Sequence, residues 1–113
     1  MTPDHPTLSV VSPVYGCIDS LEPLVDAIRD AFGELGVSGE IILVDDSSPD
    51  GAWQKILQLT GQVPEVVGIR LSRNFGQHAA ILAGIEEAVG DWIVVLDCDM
   101  QDPPNQIPTL YRA

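Results

Sequence analysis

Four short apolar, β-branched runs recur along the chain at Leu8–Val14, Glu40–Val44, Val66–Leu71 and Trp92–Leu96, each closed by Gly, Pro, Asp or Ser. Runs of this length with turn formers at their ends read as strands. Between them the apolar positions change period. Leu21, Leu24, Val25, Ile28, Ala31, Phe32 and Leu35 fall at helical spacing; Asp19 or Ser20 is placed to cap that helix, and Gly33, Gly36 and Gly39 to stop it. Trp53, Ile56, Leu57 and Leu59 predict a short second helix. Ala79 to Val89 predicts a third, with Ile81, Leu82, Ile85 and Ala88 on its apolar face. The fourth run, flanked by Gly90 and Asp97, predicts a central strand buried on both faces.

Strand–helix alternation with short connections implies βαβ units, hence an α/β domain with a mostly parallel sheet of about four strands and right-handed crossovers. Ile107, Leu110 and Tyr111 open one more amphipathic segment just before the chain stops at Ala113. The expectation is a single domain over residues 1–113, cut after its first half and leaving apolar surface through which copies could associate.

Composition narrows the partners. The net charge is −12, with one Lys and four Arg, which excludes nucleic acid as a target because a phosphate backbone needs a basic face. No window reaches the roughly 20 apolar residues of a membrane span, and the first residues lack the basic and apolar regions of a signal peptide. Cys17 and Cys98, near different strand ends, are read as reduced thiols of a cytoplasmic protein.

The chemistry gathers at strand exits. In Asp97-Cys98-Asp99 the alternation of an extended chain points both acids to one side, and Gln101 joins them if the chain stays extended. Three oxygen-bearing side chains at the carboxyl end of a strand suit a hard cation such as Mg²⁺ or Mn²⁺, at the edge where open α/β sheets bind ligands. Asp45-Asp46 follows the second strand; turn chemistry explains Ser47, Ser48, Pro49 and Gly51 better than it explains two adjacent acids, so one of these is expected to accept a ligand hydrogen bond. Tyr15 leaves the first strand either as a platform for a base or sugar or as a rim aromatic that closes the core. Arg73 precedes a helix whose N-terminus favours an anion, and is either a pyrophosphate contact or a surface Arg. His78 is either a general base or a polar residue of a helix's first turn. There is no G-x-G-x-x-G or G-x-x-x-x-G-K-[ST], which argues against a Rossmann dehydrogenase and a P-loop NTPase.

Taken in order, V-S-P-V-Y-G, I-L-V-D-D-S-S-P-D-G, L-S-R-N-F-G-Q-H-A-A-I-L-A-G and V-L-D-C-D-M-Q-D-P-P resemble family 2 glycosyltransferases of GT-A fold. The branch they most resemble is the polyprenyl-phosphate glycosyltransferases, which include dolichyl-phosphate mannose synthases and bacterial undecaprenyl-phosphate sugar transferases. The resemblance implies a Rossmann-like GT-A nucleotide-sugar-binding half. It implies a UDP- or GDP-sugar donor, a polyprenyl-phosphate acceptor and transfer with inversion, at the cytoplasmic face of the membrane in a full-length relative. By motif position, Pro13, Tyr15, Val44 and Asp46 would line the nucleoside pocket, and Asp97, Cys98 and Asp99 would be the D-x-D. Asp97 and Asp99 would be the catalytic acids, forming with Gln101 the metal and diphosphate set, to which Arg73 would add charge. Cys17 stands where this branch often has Glu, two residues after the Tyr of the first motif, a departure from the pattern at one expected nucleotide contact. Lacking the acceptor half, the isolated chain is expected to bind nucleotide weakly and to turn over no sugar.

Three other readings are weaker. A receiver domain wants its acidic pair after the first strand and a Lys in the site, whereas the only Lys here, Lys55, lies in a helix. A D-x-D-x-[TV] phosphatase is disfavoured by Gln101 at the last position. A non-catalytic nucleotide-binding fragment is the remaining alternative.

Overall fold

The computed structural model describes residues 6–99. Its elements are β1 (Leu8–Val14), a single 3₁₀ turn (Ile18–Ser20), α1 (Leu21–Leu35), β2 (Gly39–Asp45), α2 (Ala52–Gln62), β3 (Val66–Arg70), α3 (Gln77–Glu87) and β4 (Trp92–Val95). All strand pairs are parallel and the sheet order is β3-β2-β1-β4. Gln101 and the amphipathic segment expected from Ile107 lie outside the described residues.

Period-2 alternation divides the core between the two faces of the sheet. Leu8, Val10 and Val14 of β1, with Ile41 and Leu43 of β2, pack against Leu21, Leu24, Val25 and Ile28 of α1 and Ile56 and Leu59 of α2. Their neighbours Val11, Ile42 and Val44 face the other way, against Ala80 of α3. The helical face predicted for α1 is therefore the buried one, Leu21 through Phe32.

Three local expectations fail. No side chain caps α1: the 3₁₀ turn runs directly into the helix, and the Ile18 N–H is taken by the Asp50 carboxylate at 3.1 Å. α3 does not bury Leu82 and Ile85, which are exposed; its buried residues are Ala80 and Gly84. A β-carbon at Gly84 would overlap Val11 Cγ1 and lie 3.1 Å from Val44 Cγ2, so this helix sits on the sheet through its small residues rather than its large ones. In α2, Leu57 likewise faces solvent while Ala52, Ile56 and Leu59 are buried.

The fourth strand is also a correction. It pairs only with β1 and is an edge of the described sheet, with Trp92 61% exposed and Ile93 and Val95 open as well. An apolar, β-branched run specifies an extended segment, but burial needs neighbours, and α3 covers β1 and β2 instead.

Candidate functional site

Parallel strands bring every strand exit to one edge, and the ladders continue past the strand ends. The Asp46 N–H donates to the Val14 carbonyl at 3.0 Å, Leu71 N–H to the Asp45 carbonyl at 2.9 Å, and Leu96 N–H to the Val11 carbonyl at 3.0 Å. At this edge lies a cleft of about 480 Å³, lined from the β1 exit by Pro13, Tyr15, Gly16 and Cys17, from the β2 exit by Asp46, from the β3–α3 loop by Asn74 and Gly76, from the start of α3 by Gln77, and from the β4 exit by Asp97, Cys98 and Asp99.

The acidic doublet is explained by alternation carried one step beyond β2, which sends the two side chains to opposite faces. Asp45 stays on the α2 side, where its Oδ1 accepts the Ser48 N–H at 2.9 Å and its Oδ2 lies 4.0 Å from Arg70 Nε. Asp46, 3% exposed, turns toward α3, its Oδ1 accepting the Phe75 N–H at 2.8 Å and its Oδ2 the Gly76 N–H at 3.0 Å. The anion expected at the N-terminus of α3 is thus an internal one, the Asp46 carboxylate. Gly76 holds φ at 101°, a conformation that side chains rarely adopt and that turns its N–H toward both Asp46 and Asn74 Oδ1. Asp45 is committed to its own backbone, whereas Asp46 both holds the loop before α3 and lines the cleft.

A second network fixes the other wall. Ser48 Oγ accepts the Gly16 N–H at 2.9 Å and donates to Asp50 Oδ1, which also accepts the Ala52 N–H at 3.2 Å, while Asp50 Oδ2 holds Ile18. Burial acts to raise the Asp50 pKa, but the Ser48 hydroxyl and the Ile18 and Ala52 N–H groups outweigh it and hold the carboxyl below its usual range. The loop after β2 is in this way fastened to the exit of β1.

Of the residues singled out from sequence, the cleft brings together Pro13, Tyr15, Asp46, Asp97, Cys98 and Asp99. Tyr15 is 52% exposed and lies at its mouth. Val44 is not among the lining residues: as a strand residue of the α3 face it is fully buried beside Val11 and Ala80, so its expected place in a nucleoside pocket is corrected to the core. Arg73 does not line the cleft either; its guanidinium lies 4.6 Å from the centroid of the Phe75 ring, on an exposed loop. His78 is exposed outside the lining, and Lys55 pairs with Glu22 at 2.6 Å, away from the cleft and against a receiver-type site.

Two features were not anticipated. Gln77 Nε2 donates to Asp97 Oδ1 at 3.1 Å and so steers that carboxylate; Gln77 stood in a quoted motif with no role assigned. Cys17 and Cys98 are not separate thiols but a disulfide with Cα atoms 6.2 Å apart. Two cysteines 81 residues apart carry no pairing signal in sequence, whereas the parallel sheet sets the exits of β1 and β4 side by side.

Among the described residues the lining contains three carboxylates and no Lys, Arg or His. Among the described residues no three His, Cys, Asp or Glu side chains gather closely enough to hold a metal ion unaided. Asp97 and Asp99 remain a pair of hard oxygen donors on one wall. A pair fits Mg²⁺ or Mn²⁺ only where waters or substrate phosphates complete the shell, the usual arrangement for Mg²⁺ beside phosphates. Among the described residues no helix is long and apolar enough to cross a membrane.

Comparison with known proteins agrees with this architecture. The chain is 43% identical over 111 residues to the undecaprenyl-phosphate 4-deoxy-4-formamido-L-arabinose transferase of Aeromonas hydrophila, a match covering 97% of this chain and 34% of that protein. It is 42% identical over 114 residues to the protein of the same name from Pectobacterium carotovorum, covering 99% of this chain and 35% of that one. The chain therefore spans about a third of the length of the curated relatives it matches. Among solved structures, the mannosyltransferase PcManGT of Pyrobaculum calidifontis, in complex with GDP-Man and Mn²⁺, superposes with a TM-score of 0.76 at 21% identity, covering 92% of this chain and 30% of that one. S. aureus TarS 1-349 in complex with UDP-GlcNAc gives 0.65 at 22% identity, covering 82% and 26%. These likenesses establish a GT-A fold. The profile of the family described as glycosyl transferase family 2 matches residues 9–113, nearly the whole sequence, and the chain belongs to that family.

Proposed function

We propose that this chain is the donor-binding portion of an inverting glycosyltransferase that moves a sugar from a UDP- or GDP-sugar to a polyprenyl phosphate. The observation that carries this reading is the cleft at the carboxyl edge of the sheet that gathers Pro13 and Tyr15 together with Asp97 and Asp99. The undecaprenyl-phosphate transferase names of the relatives support the acceptor class, and the GDP-Man and Mn²⁺ held by one structural neighbour support the donor and the cation.

The Tyr15 ring, beside Pro13, offers a flat apolar surface to a base or sugar. Asp46 shapes the pocket through the loop it holds. Asp97, oriented by Gln77, and Asp99 would hold Mg²⁺ or Mn²⁺, and Gln101, outside the described residues, is the third ligand by motif. The ion, when bound, would supply the positive charge that a departing nucleoside diphosphate needs. In the transfer, an acceptor phosphate oxygen forms a bond to the anomeric carbon as the bond from that carbon to the diphosphate breaks on the opposite face, which inverts the configuration. A phosphate is already ionised at neutral pH, so this acceptor needs little help from a general base. Arg73, on the loop ahead of α3, is the nearest cation in sequence to the cleft-lining Asn74 and is assigned a supporting charge.

The test is thermal unfolding with UDP or GDP, with and without Mn²⁺. A ligand at about 100 times its Kd adds about 2.7 kcal/mol to stability, a readily measured shift. One nucleotide should stabilise the chain only with Mn²⁺, and Asp99→Asn should abolish that increment. Absence of stabilisation by either nucleotide, or an undiminished Mn²⁺-dependent increment in the variant, would refute the assignment.

A further inference from the structure

The disulfide has a placement that packing alone does not require. Both half-cystines line the cleft, and Cys98 sits between Asp97 and Asp99. Cys17 follows Tyr15 and Gly16 at the exit of β1, beside the exit of β4, so the bond joins the proposed nucleoside side to the proposed metal side. The β1–β4 backbone ladder ends with Leu96 N–H on the Val11 carbonyl, one residue short of Asp97. From there the covalent tie to Cys17 acts on the D-x-D backbone, alongside the Gln77 side chain that holds the Asp97 carboxylate.

We propose that Cys17–Cys98 is a thiol–disulfide switch set inside the donor cleft: oxidised, it presents Asp97 and Asp99 together to the ligand; reduced, it frees that segment from the wall carrying Tyr15. The proposal rests on reading the cleft as a nucleotide-sugar site. A cellular dithiol is the reductant class. Its thiolate attacks one sulfur and forms a mixed disulfide, then its second thiol displaces the other half. The dithiol leaves as a disulfide, two electrons poorer, and Cys17 and Cys98 each gain one electron and one proton. Both half-cystines are buried members of the α1-side core that also line the open cleft, and the cleft is the side from which a small dithiol would reach them. Two discrete states of a segment that carries ligand groups are what coupling between redox state and binding requires.

The experiment uses the 113-residue chain in two preparations, air-oxidised and phosphine-reduced with the reductant removed, their thiols counted with Ellman's reagent. Each is titrated calorimetrically with UDP and with GDP in the presence of Mn²⁺, with far-UV circular dichroism recorded alongside. The expected result is that the reduced chain keeps its circular dichroism and binds the preferred nucleotide at least about fivefold more weakly, the lower end of ordinary allosteric coupling. Reoxidation should restore the affinity, and the double variant Cys17→Ser, Cys98→Ser should match the reduced chain and ignore reductant. Equal affinity in the two states would overturn the switch and leave the donor site standing. Loss of secondary structure on reduction would make the bond a structural staple and also overturn it. Absence of nucleotide binding in both states would overturn the donor reading, and the switch with it.

Discussion

Asp46 is the position at which a structural strut and a ligand group make opposite predictions. Its carboxylate is buried and accepts two backbone N–H groups of the loop that starts α3. Hydrogen bonds to a charged group contribute about 1.5–3 kcal/mol each. In Asp46→Asn one oxygen survives to accept one N–H, while the new amide NH₂ confronts the other. One bond is lost and a buried donor is left unpaired, at about 1–3 kcal/mol for the donor. Relief from burying a charge offsets part of this, so the net loss should be about 2–4 kcal/mol, a large share of the stability of a small domain. Urea unfolding followed by circular dichroism measures it, with Asp45→Asn as the comparison; Asp45 has one backbone hydrogen bond and a distant Arg70, and should cost about 1 kcal/mol. If Asp46→Asn stays within about 0.5 kcal/mol of the parent, the range of an ordinary surface change, while nucleotide binding falls, the strut is refuted and the residue is a ligand group.

Two further substitutions probe the scaffold. Gly84→Ala gains about 1 kcal/mol of helix propensity but forces a methyl into Val11 and Val44, at about 1–3 kcal/mol of overpacking; a net loss of about 1 kcal/mol is expected by urea unfolding, and a stabilised variant would show that α3 can move off the sheet. Asp50 tests the loop network through pH. Its folded pKa is depressed, so its contribution is present above the unfolded value of about 3.9 and is lost as pH falls through the folded value. Asp50→Asn should therefore lower the unfolding midpoint near neutrality and converge with the parent in acid; a pH-independent gap would assign the effect to something other than the charge.

The parts of the fold legible in sequence are those governed by local periodicity. Leu21, Leu24, Val25, Ile28 and Phe32 announce α1 and its buried face because the face is wide and its residues large. α3 misleads because its contact with the sheet needs closeness, which Ala80 and Gly84 provide, and hydropathy scores such residues as neutral. The apolar run of β4 marks a strand, but its exposure depends on which elements lie beside it, which no local pattern encodes. At the site, Asp97 and Asp99 do line one cleft, but not by strand alternation: β4 ends at Val95, Cys98 and Asp99 lie in a turn, and Cys98 between the acids lines the cleft as well. Applied across the end of β2, alternation separates Asp45 from Asp46 and dissolves the puzzle of the doublet. The disulfide and the Gln77–Asp97 contact join residues far apart in sequence, so only the assembled sheet discloses them.

The charge of the cleft decides which part of a sugar nucleotide can enter it without help. Two unit charges 4 Å apart interact by about 4 kcal/mol at an effective dielectric constant near 20. A diphosphate brought up to Asp97 and Asp99 meets like charge on that wall, and among the described residues the lining offers no Lys, Arg or His in return. Several kcal/mol of repulsion would erase a micromolar affinity, which is worth about 8 kcal/mol in all at 1 M standard state, down to a value that titration barely registers. Pro13 and Tyr15, by contrast, bear no charge, and a base lying there feels little of this field. Chelating divalent ions should therefore remove UDP or GDP binding while leaving whatever weak affinity uridine or guanosine has unchanged, and raising salt should weaken the chelator effect by screening. A nucleoside diphosphate that binds equally well with and without chelator would place its phosphates away from the two acids, and the orientation argued for the donor would have to be reversed.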